Sequence, residues 1–98
     1  MRLYFSPQYR DDTPTVVRHD DVLTINGDVI DLSAVPDGAT LPLGAISNPW
    51  IADDVHRIDG VLHVTLLWPC GATTTATPQP TTLTANGPVA LPRDPEEA

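Results

Sequence analysis

Short runs of alternating apolar and polar residues, separated by Gly, Pro, Asn and Asp, are the main pattern in this chain. Alternation with a period of two residues is typical of half-buried strands. The first run, "MRLYF", predicts a strand that ends in a turn at Ser6 and Pro7. No long stripe with helical spacing occurs, so the pattern predicts a protein built from strands.

A hairpin is predicted around Asn26 and Gly27, because this dipeptide tolerates the positive φ angles of a type I′ turn. The register that follows places Leu23 opposite Ile30. One face of the hairpin is then apolar. Its members are Leu23, Ile25, Ile30 and Leu32.

A second hairpin is predicted in "VHRIDGVLHVTLLW", with Asp59 and Gly60 in the turn and His56 opposite His63. Regular continuation of this register brings Asp53 opposite Leu66 and Ile51 opposite Trp68. The apolar face comprises Ile51, Val55, Leu62, Val64, Leu66 and Trp68. The opposite, solvated face comprises Asp54, His56, His63 and Thr65.

Asn86 and Gly87 predict a third hairpin, with Pro88 confining its returning strand to a sheet edge. Pro and Gly residues predict a connecting loop over 33–49 that packs on the sheet, and Thr and Pro predict a loop over 69–81. The prediction is one all-β domain over 1–91, an antiparallel meander, sandwich or partly open barrel built from hairpins. Residues 92–98 are predicted to form a disordered acidic tail.

Composition narrows the range of partners. Of the 98 residues, 41% are hydrophobic, which suits one small core, and the formal net charge is -8 with no lysine. Such a chain repels nucleic acid and anionic lipid, so neither is a predicted partner, whereas a basic protein is. No segment has the length of a membrane span or a signal peptide, and the lone Cys70 permits no internal disulfide.

The predicted pairing of His56 with His63 suggests a metal site, because facing side chains on neighbouring strands can share an ion. Asp54 lies on the same predicted face, and two histidines with a carboxylate form one known zinc ligand set. The alternative is an ordinary pair of histidines on a solvated face. No bound cofactor is otherwise predicted.

Other residues carry less chemical information. Cys70 has no histidine placed beside it by the sequence, which favours a passive thiol. The run from His19 to Asp21 is best explained as a turn, since adjacent strand residues point to opposite faces. Exposed strand edges, which can accept a partner strand, and the region of Trp50 and Trp68 are candidates for a docking surface. No catalytic sequence motif is present, and a noncatalytic protein is favoured over an enzyme.

The stretches "MRLYFSP", "VLTINGDVIDLSAVPDGATLP", "RIDGVLHVTLLWP" and "GPVALP" together resemble a group of small uncharacterised proteins that prophages encode near phage tail genes. The resemblance covers most of the chain outside the Thr/Pro-rich stretch and the acidic tail. It implies a bacteriophage setting in the bacterial cytoplasm, or incorporation in a virion. It brings no catalytic or binding residues.

Three functions therefore stand as expectations. The first is a noncatalytic structural or protein-interaction accessory of a phage tail or its assembly. The second is a small metal-binding module or enzyme that uses His56, His63 and Asp54. The third is an acidic inhibitor of a basic host protein. It predicts that six aspartates cluster on one face: Asp20, Asp21, Asp28, Asp31, Asp53 and Asp54.

Overall fold

A computed structural model describes residues 1–9, 12–70 and 78–91 of the chain. Strands and one short 3-10 helix, Leu43–Ala45, make up its regular structure. The strands are β1 Arg2–Tyr9, β2 Val16–His19, β3 Val22–Ile25, β4 Asp28–Asp31, β5 Thr40–Leu41, β6 Val55–Ile58, β7 Val61–Cys70, β8 Thr81–Thr82 and β9 Gly87–Pro88. The predicted all-β fold is confirmed.

The strands form two sheets. The larger has the order β5-β6-β7-β1-β8, and the smaller has the order β4-β3-β2-β9. Neighbouring strands are antiparallel except for β1 and β7, which run parallel over the whole length of β1. Buried side chains of both sheets belong to one hydrophobic cluster, as in a small sandwich. No helix in the described ranges is long and apolar enough to cross a bilayer.

Both leading hairpins have the predicted turns, and the pairs next to each turn have the predicted register. Asn26 and Gly27 adopt φ angles of 52° and 81°, and Asp59 and Gly60 adopt 52° and 79°. Leu23 pairs with Ile30, and His56 pairs with His63. These two dipeptides supply the positive φ angles that match a turn to the twist of its strands. The predicted turn after His19 is also present, with φ of 51° at Asp20.

The predicted register of the second hairpin is wrong at Asp53 and Ile51. Ile51 lies opposite Leu66 instead of Trp68, because residues 52–54 form a bulge. Regular pairing would have directed the Asp53 carboxylate into the core, and burial of an unpaired charge is costly. The bulge adds an even number of residues, so Ile51 keeps its predicted inward direction and is only 4% exposed.

The first strand is longer than predicted. β1 continues through Ser6 and Pro7 to Tyr9, and Pro7 lies beside Trp68 of β7. β8 pairs with Arg2 and Leu3, so among the strands of the described ranges β1 has a single neighbour at Pro7. A proline is tolerated there because one side of the strand needs no ladder hydrogen bond.

The prediction of a third hairpin is wrong. β8 pairs with β1 in the larger sheet, whereas β9 pairs with β2 in the smaller one, so this segment connects the two sheets. Gly87 lies within β9 and not in a turn, and the Asn86 side chain accepts the backbone N–H of Asp20 at 2.7 Å. The two ends of the predicted 69–81 loop belong to strands, since β7 extends to Cys70 and β8 begins at Thr81. The middle of this loop and the predicted 92–98 tail lie outside the described residues.

The core lies between the sheets and follows the predicted inward faces. In β7 every second residue is buried, from Leu62 to Cys70. Leu23 and Ile25 of β3, and Leu32 directly after β4, have no exposed surface. The predicted connecting loop packs on the core as expected, since its residue Val35 is only 8% exposed. A fully buried aliphatic side chain of this kind contributes about 1.5–3 kcal/mol.

Candidate functional site

A row of polar side chains crosses the outer face of the larger sheet. The register of the five strands aligns Thr40, His56, His63, Arg2 and Thr82, in that order from β5 to β8. We call these five residues the polar row. The predicted histidine pair forms its centre, and the strands that flank the pair come from distant parts of the sequence.

Both histidines form a hydrogen bond with a hydroxyl group. The Nδ1 atom of His63 lies 2.8 Å from the Tyr4 hydroxyl, and that of His56 lies 2.8 Å from Thr40 Oγ1. The Tyr4 and His63 rings also stack, with their centroids 5.7 Å apart. The guanidinium group of Arg2 lies over the Tyr4 ring, with its carbon atom 5.9 Å from the ring centroid. Each imidazole therefore has only Nε2 left for a further ligand.

Asp54, the third predicted metal ligand, accepts the backbone N–H of Leu43 at 2.7 Å. It lines a cavity of about 220 Å³ together with Tyr4, Asp53, His56 and His63. Within the described part of the chain, no group of three or more His, Cys, Asp or Glu side chains could hold a metal ion. The structure thus brings the three predicted residues to one cavity without assembling them as ligands, and metal binding by the histidines stays a prediction.

Trp50 and Trp68 lie in the core, at 5% and 1% exposure. Trp50 follows the buried Asn48, whose side-chain oxygen accepts the Trp50 backbone N–H at 2.9 Å. Their predicted part in docking is untested, but their burial leaves the two indoles little surface for a partner. Cys70 is buried at the end of β7 as well.

The sequence predicts that exposed strand edges can dock a partner but not which edge is open, and the structure identifies β4 as one such edge. β4 is the last strand of the smaller sheet, and no other strand in the described ranges pairs with its outer side. The backbone N–H of Leu32 donates to the Asp21 carbonyl at 3.0 Å. This bond shows which residues of β4 direct their backbone groups toward β3 and which direct them away. The N–H and C=O groups of Val29 and Asp31 therefore point away from β3. The Val29 residue is 65% exposed.

A groove runs beside this edge. Two adjoining cavities, of about 260 and 210 Å³, share Asp31 of β4 and Leu41 of β5 as lining residues. We call them together the β4 groove. Its apolar lining includes Ile30, Val35, Pro36, Leu41, Ala45 and Ile46. Each cavity is smaller than the roughly 300 Å³ at which pockets for small molecules begin, so the groove fits side chains of an extended segment better.

Two carboxylates lie along the β4 wall of the groove. Asp28 accepts a hydrogen bond from the Asn48 side chain at 3.0 Å. Asp31 accepts bonds from the hydroxyl and the backbone N–H of Ser33, at 2.6 and 2.9 Å. These two bonds lower the pKa of Asp31 from its ordinary value, the hydroxyl being the larger cause. Asp31 therefore keeps its negative charge to lower pH than a free aspartate does.

Comparison with known proteins gives no relative from which a function could be carried over: no family model, curated protein or solved structure matches the chain.

Proposed function

We propose that this protein is a noncatalytic protein-interaction domain, which serves as a structural or assembly accessory of a phage or prophage. The open edge of β4 is the observation that supports it. Strand edges bind partner proteins by adding a strand to the sheet, and the main chain supplies hydrogen bonds for the added strand. The apolar groove beside the edge offers surface for its side chains.

The other candidate functions have less support. In the polar row, both histidines already bond to hydroxyl groups, and Asp54 bonds to a backbone N–H. An acidic inhibitor that imitates nucleic acid needs its carboxylates on one face. Of the six aspartates that this hypothesis requires on one face, Asp20, Asp21 and Asp31 lie at one end of β3 and Asp28 at the other, whereas Asp53 and Asp54 lie in the bulge of the larger sheet. Asp21 is moreover bonded to Arg57 at 3.0 Å.

The phage setting comes from the sequence resemblance alone. It puts the protein in the bacterial cytoplasm during assembly, with incorporation in the virion as the second location. Its partner is then a tail or assembly protein, or a host protein that takes part in assembly.

Site-specific cross-linking in cells tests this function. A photoreactive amino acid replaces Val29 on the open edge, and in a matched protein it replaces Tyr9, which is also exposed but lies in the other sheet. After prophage induction, the Val29 protein is expected to cross-link to one phage structural or assembly protein. Repeated experiments in which neither position captures a phage or assembly protein would contradict the proposed function.

A further inference from the structure

We infer that the β4 groove binds an extended segment of a partner protein in which basic and apolar side chains alternate, and that this segment adds to the smaller sheet beside β4. This inference rests on the proposed function and specifies the chemistry of the partner. It follows from the direction of the backbone groups, the lining of the groove and the charge along its wall.

The backbone of β4 offers two residues to an incoming strand. The N–H and C=O groups of Val29 and Asp31 point outward, so a partner can form up to two pairs of ladder bonds with them. Both residues are exposed. Ladder bonds between main chains are independent of sequence, so they supply affinity and the side chains supply selectivity.

The side chains of the added strand would meet two different environments. A residue opposite Ile30 points toward the inner side of the sheet, where Ile30, Leu41 and Ile46 are partly buried against the core. An apolar side chain is favoured there. A residue opposite Asp31 points to the outer side, beside the carboxylate of that residue. A lysine or arginine is favoured at that position, because opposite charges on facing strand positions attract.

Charge selects a basic partner over a second copy of the chain. Asp28 and Asp31 line the groove, and no basic residue is among the described residues that line it. Two copies paired along this edge would place like-charged aspartates on both faces of the joined sheet, in chains of net charge -8 each. Like charges at a strand edge oppose such pairing. The same charge attracts a basic segment and accelerates its association at low salt.

The test uses two synthetic peptides of alternating sequence, one of arginine and valine and one of glutamate and valine. Binding to the full chain is followed by the backbone amide signals in NMR. The arginine peptide is expected to shift the signals of Val29 and Asp31 in a saturable way, and the glutamate peptide is not. Saturable binding of both peptides, or shifts confined to the larger sheet, would overturn the inference.

Two variants test the binding mode. Val29→Pro removes an outward N–H, which edge strands tolerate, and should weaken binding about tenfold, the equivalent of one hydrogen bond. Val29→Thr keeps the N–H and is the matched control. Asp31→Asn should also weaken binding of the arginine peptide. This variant keeps the inference testable if the proline variant does not fold. Unchanged affinity in both Val29→Pro and Asp31→Asn would contradict the inference.

Failure of this inference is distinguishable from failure of the proposed function. If an assembly protein cross-links in cells but the arginine peptide does not bind, the protein has a partner that uses another surface. If the peptide binds β4 and no phage or assembly protein is captured, the edge is a basic-segment site and the assembly function is wrong.

Discussion

Arg57 in β6 of the larger sheet binds Asp21 in the β2–β3 turn of the smaller sheet, with Nη2 of the arginine 3.0 Å from Oδ2 of the aspartate. The Arg57 side chain is 12% exposed, whereas that of Asp21 is 39% exposed. The guanidinium also donates to the carbonyl groups of Val35, Leu32 and Gly60. One side chain thus connects β6, the β2–β3 turn and the loop after β4.

Replacement of Arg57 is expected to destabilise the protein strongly. Arg57→Ala leaves part-buried carbonyl groups and the Asp21 carboxylate without their donor, and should lower the free energy of unfolding by about 3 kcal/mol. Asp21→Asn keeps the size of the side chain and should cost about 1–2 kcal/mol. Denaturant unfolding measures both values.

Arg18→Ala is the control for this experiment, because Arg18 also donates to backbone carbonyls but in an exposed position. Its cost should be no more than about 1 kcal/mol. A double-mutant cycle between Arg57 and Asp21 should give a coupling energy above about 0.5 kcal/mol. Additive effects of the two replacements would show that the ion pair does not connect the sheets energetically.

Gly27 should be more sensitive to alanine than Gly44, although an added Cβ atom would meet no other atom within 4 Å at either position. Gly27 has φ of 81°, where a Cβ atom strains the backbone, whereas no such φ occurs at Gly44. Gly27→Ala should therefore cost about 1–2 kcal/mol, and Gly44→Ala less than about 0.5 kcal/mol. Thermal unfolding compares them. Equal melting temperatures would indicate that the β3–β4 turn does not need its left-handed residue.

Zinc is expected to bind the histidine pair only weakly. Each Nδ1 atom is already bonded to a hydroxyl, and no third ligand joins the pair among the residues the structure describes. In an NMR titration with Zn²⁺, the ring signals of His56 and His63 should move without saturation at equimolar metal. Stoichiometric zinc that survives dialysis and is lost in His63→Ala would instead establish the metal site, with Asp54→Asn testing the third ligand.

The charge of Asp31 gives a prediction for acid pH. Its pKa is lowered in the folded protein, so its contribution to stability is present above the unfolded-state pKa and is lost as pH falls through the folded one. Ser33→Ala removes the hydroxyl bond and should move the pKa of Asp31 upward, toward its ordinary value. The carboxyl carbon signal of Asp31 in an NMR titration measures this shift. Ser47→Ala, in the same groove, should leave it unchanged, and an upward shift in that variant would contradict the role of Ser33.

Local signals explain which parts of the fold could be predicted. The turns at Asn26 and Asp59 and their registers depend on two residues and the alternation beside them, so a short stretch of sequence determines them. The parallel pairing of β1 with β7 and the division of β8 and β9 between the sheets depend on distant segments. No local pattern encodes these pairings.

In the candidate site, too, local sequence predicts some contacts, whereas others depend on distant segments. The pairing of His56 with His63 is predictable because it belongs to one hairpin, but Tyr4 and Thr40 reach the histidines from other strands. Arg57 is recoverable from the sequence, since the predicted register already puts it opposite Leu62 on the inward face. A charged residue in that position predicts a buried partner. The open edge of β4 requires the strand order, which only the structure supplies.

The parallel pairing of β1 with β7 also constrains the order of events during synthesis on the ribosome. Arg2 pairs with His63 and Tyr9 with Cys70, so β1 leaves the exit tunnel long before its partner. Until then Leu3 and Phe5 have no sheet to join, whereas the β3–β4 hairpin can close as soon as it emerges. Pairings over such separations fold slowly. The nascent chain therefore carries the apolar side chains of β1 without their sheet partner until β7 is made.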